Sequence, residues 1–102
     1  MFRQGDVLLI PTTPVEIAGA ETAQRDDRGR LVLAEGEATG HAHAIAARRA
    51  ALYMMAGMVY LHLQERAQVQ HEEHGNIDLD PGWYKVQRKR EYTPAEVRYV
   101  AD

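Results

Sequence analysis

Cysteine and serine are both absent from the 102 residues. Without a thiol the chain is no disulfide-stapled scaffold, zinc ribbon, Cys-nucleophile enzyme or iron–sulfur protein, and without serine it performs no serine-nucleophile hydrolysis. Any metal chemistry falls to His, Asp and Glu. Aromatic volume is scarce, with one Phe and one Trp. A basic excess is missing too: 12 Lys and Arg stand against 15 Asp and Glu, a net charge of −3, which argues against a general nucleic-acid coat. The apolar run at 7–10 is too short for a signal-peptide core or a membrane span. That predicts a cytoplasmic protein with no membrane partner. The glycines gather into neither a Gly-x-x-x-x-Gly-Lys-Ser/Thr nor a Gly-x-Gly-x-x-Gly arrangement, so no nucleotide-binding loop is predicted.

What is present is a series of short apolar segments bounded by turn residues, the spacing of a mainly β fold. The reading is one β-domain over 1–102, a small barrel or sandwich. Strands are predicted over 6–11, 31–35, 53–55, 59–64, 67–71, 77–79 and 84–90, with 14–17 extended. Ala56-Gly57 would join 53–55 to 59–64 as a hairpin, and Asp80-Pro81-Gly82-Trp83 reads as a type II turn with Gly82 at the positive-φ position. Residues 20–30 are polar, end in Asp26-Asp27-Arg28-Gly29, and read as a mobile surface loop. The alanines of 41–56 also suit a helix, with Gly57 as its C-cap. Gly36 and Gly40 on the approach and the lack of a strong N-cap weigh against it. Thr93-Pro94-Ala95-Glu96 has capping-box spacing, so the only helical turn predicted lies near 94–97.

Four of the five histidines fall in two close pairs, His41-Ala42-His43 and His71-Glu72-Glu73-His74. In a strand, i and i+2 share a face, so His41 and His43 can chelate one ion provided that segment is extended. His71 shares the parity of Ala67 and Val69, against Gln68 and Gln70, and is predicted to point inward. His74 reaches the same point from the Gly75-Asn76 turn as a fourth or supporting ligand. The spacing is not the helical i,i+4 pattern of His-Glu-x-x-His proteases. His41, His43, His71 and His74 therefore form the predicted metal site, for Zn²⁺, Ni²⁺, Fe²⁺, Mn²⁺ or Cu²⁺, among which imidazole does not select. Glu72, Glu73 or Glu37 would complete the sphere or orient a ring, and Glu72 or Glu73 would accept a proton if the ion activates water. Two readings compete: structural histidines, and metal-free acid–base chemistry of a histidine ribonuclease using His71 or His74 with Arg88 or Arg90. His62 has the parity of Tyr60 and Gln64 and is placed on the outer face, outside the site.

Gly40-His41-Ala42-His43, the strand–turn–strand over 71–79, Pro81-Gly82 and the segment 84–86 resemble the His-x-His and Pro-x-Gly elements of cupin-type barrels. Gly5-Asp6-Val7-Leu8-Leu9-Ile10-Pro11 is similar to the Gly-Asp-x-x-x-x-Pro strand of that superfamily. The resemblance covers about a third of the chain and implies a small β-barrel holding a divalent ion. The motif order departs from the family's, and the glutamate that usually follows the histidine pair is replaced by the stretch from Ile45 to Arg48.

Lys85, Arg88, Lys89 and Arg90 make a basic strand interleaved with Tyr84 and Tyr92. It reads first as protection of a strand edge, and second as a contact for a polyanion, phosphate or nucleic acid. The Met54, Met55 and Met58 group around the hairpin reads as core packing. Scarce aromatic volume and exposed strand edges predict a homo-oligomer, either a metal-binding protein acting on a small molecule or a non-enzymatic assembly protein.

Overall fold

A computed structural model describes residues 1–36 and 40–88. Ten strands follow one another: β1 (Phe2–Gln4), β2 (Val7–Thr12), β3 (Glu21–Thr22), β4 (Leu31–Glu35), β5 (Ala42–Ile45), β6 (Ala50–Met55), β7 (Met58–Leu63), β8 (Ala67–Gln70), β9 (Ile77–Leu79) and β10 (Gly82–Arg88). They form two antiparallel sheets, one ordered β1-β2-β10-β7-β6-β3 and the other β4-β5-β8-β9. Alternation sets the facing: Ala67 and Val69 of β8 are buried while Gln68 and Gln70 are exposed. Leu9, Leu61 and Leu63 of the larger sheet meet Ile45, Val69 and Leu79 of the smaller one in a shared core, each at most 1% exposed. Burial of such side chains contributes roughly 1.5–3 kcal/mol each. Among the described residues no helix is long and apolar enough to cross a membrane.

Two tight turns fix the register of the larger sheet. Gln4 pairs with Val7, leaving a two-residue turn in which Gly5 has φ 59 and Asp6 has no positive φ, the type II′ pattern. Met55 pairs with Met58, and the turn residues Ala56 (φ 53) and Gly57 (φ 76) both lie in the left-handed region, as type I′ requires.

The mainly β reading holds, and 41–56 is not helical: it divides into β5 and β6. Burial overrides alanine's helix preference, since all four residues of β5 are buried between β4 and β8. The connection at 80–83 is not a type II turn, because Gly82 at φ 150 begins β10 and pairs with Leu63. Segment 14–17 forms no strand, while β1 and β3 were not anticipated. Residues 20–30 contain β3, which pairs with β6. There Asp26 accepts from the amides of Arg28 and Arg30 and pairs with the Arg30 guanidinium at 3.0 Å, while Arg25 donates to the carbonyls of Ala47, Arg48 and Ala50. The turn at 94–97 and residues Glu37, Lys89 and Arg90 lie outside the described residues.

Candidate metal centre

At the end of the molecule where the β1–β2 turn meets the start of β5 and the end of β8, a cavity of about 220 Å³ is lined by Gly5, Asp6, His41, His43, His71, Glu73 and His74. β5 carries His43, with His41 immediately before it, and the chain leaving β8 supplies His71 and His74. The His43 and His71 ring centroids are 4.4 Å apart, His71 and His74 4.7 Å, His41 and His71 5.7 Å, and His43 and His74 6.1 Å. The β4–β5 register shifts between Val32 and Ala34, a bulge that sets Ala34 opposite His43. Two glycines make the room. A Cβ on Gly5 would stand 2.6 Å from His74 Nε2, and one on Gly36 would stand 2.9 Å from His71 Nε2 and 2.8 Å from the His41 Cβ.

His43 is 1% exposed and its partner Gln4 2%. Gln4 Nε2 donates to the carbonyls of Val69 at 3.0 Å and Gly75 at 2.9 Å, which leaves Gln4 Oε1 to face His43 Nδ1 at 2.8 Å. An oxygen in that position can only accept, so Nδ1 carries the proton and the Nε2 lone pair is available to the cavity. Asp6 Oδ1 lies 3.7 Å from that Nε2, and its other oxygen, Oδ2, accepts from Arg88 at 2.9 Å. Desolvation, reinforced by the neighbouring His71, pushes the His43 pKa down to about 4 despite the pull of Asp6. At neutral pH the His43–Asp6 contact is thus two acceptors facing one another, not an ion pair.

The other rings differ. His71 Nδ1 accepts from the amides of Glu73 at 3.0 Å and His74 at 3.4 Å, so the neutral ring carries its proton on Nε2. His41 Nδ1 sits 3.5 Å from the carboxylate of Glu73. Glu72 turns Oε1 to the Ala42 amide at 2.9 Å, and that bond, with one to its own amide, holds its carboxyl below the usual range. His41, His71 and Glu72 bring one donor atom each to within 4.8 Å of one another.

All four histidines read from the sequence converge here, with Glu73 at the rim and Glu72 beside it. His62 lies elsewhere, stacked on Trp83. Arg88 points to Asp6 rather than to solvent as part of a basic strand. Gln4 and Asp6 were missed. Their signal was available: a two-residue turn at Gly5-Asp6 puts Gln4 directly opposite the inward Val7, on the core face.

Residues 3–89 match the family described as Domain of unknown function (DUF8820), and the chain belongs to that family. Searches of curated proteins and of solved structures return no match.

Proposed function

We propose that this chain binds a divalent transition metal in the imidazole cavity, with His41, His43, His71 and His74 as nitrogen donors and Asp6 as the nearest carboxylate to His43. The observation that carries the reading is the convergence of four imidazoles on one cavity of about 220 Å³, with Gln4 Oε1 at His43 Nδ1 leaving the Nε2 lone pair of the buried His43 turned to that cavity. The resemblance to cupin-type barrels agrees with it. Gln4 acts as the orienting partner, fixing the tautomer that leaves Nε2 free. His71 engages an ion through Nε2 only after its ring turns over and gives up the two amide bonds to Nδ1. Zn²⁺, Ni²⁺, Fe²⁺, Mn²⁺ and Cu²⁺ all suit imidazole donors. A bound ion would supply Lewis acidity and lower the pKa of a coordinated water. Glu73 is the better placed proton acceptor, because Glu72 is committed to the Ala42 amide.

Elemental analysis of untagged protein tests the proposal. A transition metal is expected to copurify or to add with sub-micromolar affinity, and His41→Ala with His43→Ala is expected to abolish binding. Protein that neither carries nor takes up any of the five metals would overturn it.

One observation favours a second reading. His43 presents an acceptor nitrogen to the cavity and His71, as it stands, an N–H. Neutral rings of opposite tautomer, 4.4 Å apart, are a base and a hydrogen-bond donor for metal-free acid–base chemistry. Activity that survives EDTA and is lost in His43→Ala would decide for it.

A further inference from the structure

The outward side of the larger sheet carries a separate arrangement. Along β10, Trp83 lies five residues from Arg88, the partner of Asp6, a span of ~17 Å. Cross-strand partners share a face, so the register sets Ile10, Lys85, Tyr60 and Tyr53 in one outward row and Thr12, Trp83, His62 and Ala51 in the next. The His62 and Trp83 rings stack 4.2 Å apart with planes 8° from parallel, and Tyr53 lies 6.0 Å from Trp83 at 23°. All three rings are half-buried, which leaves part of each to solvent. Beside them the exposed Arg48 and Arg49 line a recess of about 190 Å³ with His62 and Gln64.

Charge on this face runs against that of the chain. Net charge is −3, yet the two outward rows contain no Asp or Glu. Among the described residues the side chains of Arg48, Arg49 and Lys85 have no carboxylate within ion-pair distance. The nearby Glu65 gives its Oε2 to the Arg49 amide. Cations with no ion-pair partner among the described residues, beside a cluster of flat rings, match a ligand that is both anionic and aromatic.

We propose that this face binds single-stranded nucleic acid, with bases stacking on the ring surfaces that the mutual stack of Tyr53, Trp83 and His62 leaves open to solvent and phosphates taken by Arg48, Arg49 and Lys85. Every base has a π-face, so stacking of this kind tolerates any sequence, whereas bases inside a duplex are out of reach of rings standing on a sheet. A neutral sugar would use the rings and leave the three cations unmatched. This site is independent of the imidazole cavity and of any metal there.

Trp83 is the sole tryptophan, so the fluorescence of the full chain reports directly on this face. Titration with a ten-nucleotide oligouridine in EDTA is expected to quench it. Three cations on a single strand predict a log–log salt slope near −2, hence roughly 20-fold weaker binding at 200 mM than at 50 mM salt. Arg48→Ala with Arg49→Ala, both exposed, is expected to cut that loss to about threefold, leaving Lys85 alone. Tyr53→Ala keeps the fluorophore and is expected to bind about tenfold more weakly. Absence of quenching by oligouridine would overturn the proposal. So would equal quenching by inorganic polyphosphate, which has charge and no bases, or salt-independent quenching by a neutral hexasaccharide in preference to oligouridine.

Discussion

His43 and His62 each sit on a strand of the same two-sheet molecule, and their surroundings differ in every respect. His43 is enclosed, hydrogen-bonded through Nδ1 to a glutamine that is itself fully engaged, and opposed by a carboxylate across a cavity. His62 lies on the outward face, flat against Trp83, its ring 4.2 Å from the indole and 8° from parallel to it. The first is held in one tautomer by a chain of bonds that runs from β5 through β1 to the β8 carbonyl of Val69. The second contributes a flat ring to a surface. Placement of the same side chain therefore decides whether its nitrogens or its π-face make its contacts.

The strongest way to break this contrast is to remove the glutamine. Gln4→Leu fills similar space but leaves His43 Nδ1 and two carbonyls without their partner, and buried orphans cost about 1–3 kcal/mol each. A loss of about 3–5 kcal/mol in urea unfolding is expected, together with loss of metal uptake. His62→Ala, outside that network, is expected to cost about 1 kcal/mol or less. Equal losses for the two variants would show that Gln4 holds nothing in place.

A smaller effect is expected at Gly36, whose role is purely one of space. Its φ is not positive, and an added Cβ meets His41 at 2.8 Å and His71 at 2.9 Å. Gly36→Ala should push these rings apart, with a stability cost of about 1–3 kcal/mol and weaker metal binding. Gly75→Ala meets nothing within 4 Å and serves as the control, with a change of about 0.5 kcal/mol or less expected. Chemical denaturation and metal titration of both proteins make the comparison.

Much of this was legible in the sequence, and the omissions have definite causes. The period-two alternation of Ala67-Gln68-Val69-Gln70 gave the inward direction of His71, and Ala56-Gly57 marked its hairpin. Residues 41–45 were ambiguous because alanine suits a helix locally, and only the covering of β5 by β4 and β8 decides for a strand. Gln4 was overlooked because Phe2-Arg3-Gln4 before a glycine carries little strand signal, and Asp6, though at the start of a predicted strand, because a carboxylate beside a turn glycine reads as turn chemistry. Their importance lies in register, which depends on the turn rather than on composition. The outward cluster of Tyr53, His62 and Trp83 joins three strands and two adjacent rows, and cross-strand stacking of that kind has no local signature at all.

Acid sharpens the contrast further. Folding holds the His43 pKa near 4, whereas an unfolded imidazole titrates near 6.5. Between those values the unfolded chain binds the extra proton, so stability is fully present above about pH 6.5 and falls as pH drops toward 4. In metal-free protein the expected slope from this one group is at most about 1.4 kcal/mol per pH unit. The interval from 5 to 6.5 lies above the range in which Asp26 and Glu72, both lowered from their usual values, exchange protons. A slope there that persists unchanged in His43→Gln would refute the assignment.

The smallest effect separates the two hairpin turns, which share a backbone angle and differ in what surrounds it. Gly5 at φ 59 needs its missing side chain twice, once for the type II′ turn and once because His74 Nε2 occupies the place of a Cβ. Ala56 at φ 53 carries a Cβ in a conformation that costs an L-residue roughly 1–2 kcal/mol. Ala56→Asn creates Asn-Gly, the pair that type I′ turns prefer, without the unfolded-state entropy that glycine would add. It is expected to stabilise the protein by ~1 kcal/mol, read as a higher urea midpoint with an unchanged slope. Gly5→Ala, at nearly the same φ, is expected to destabilise and to disturb metal uptake. If both turns responded alike, backbone geometry alone would govern them, and the imidazole of His74 would have no hold on Gly5.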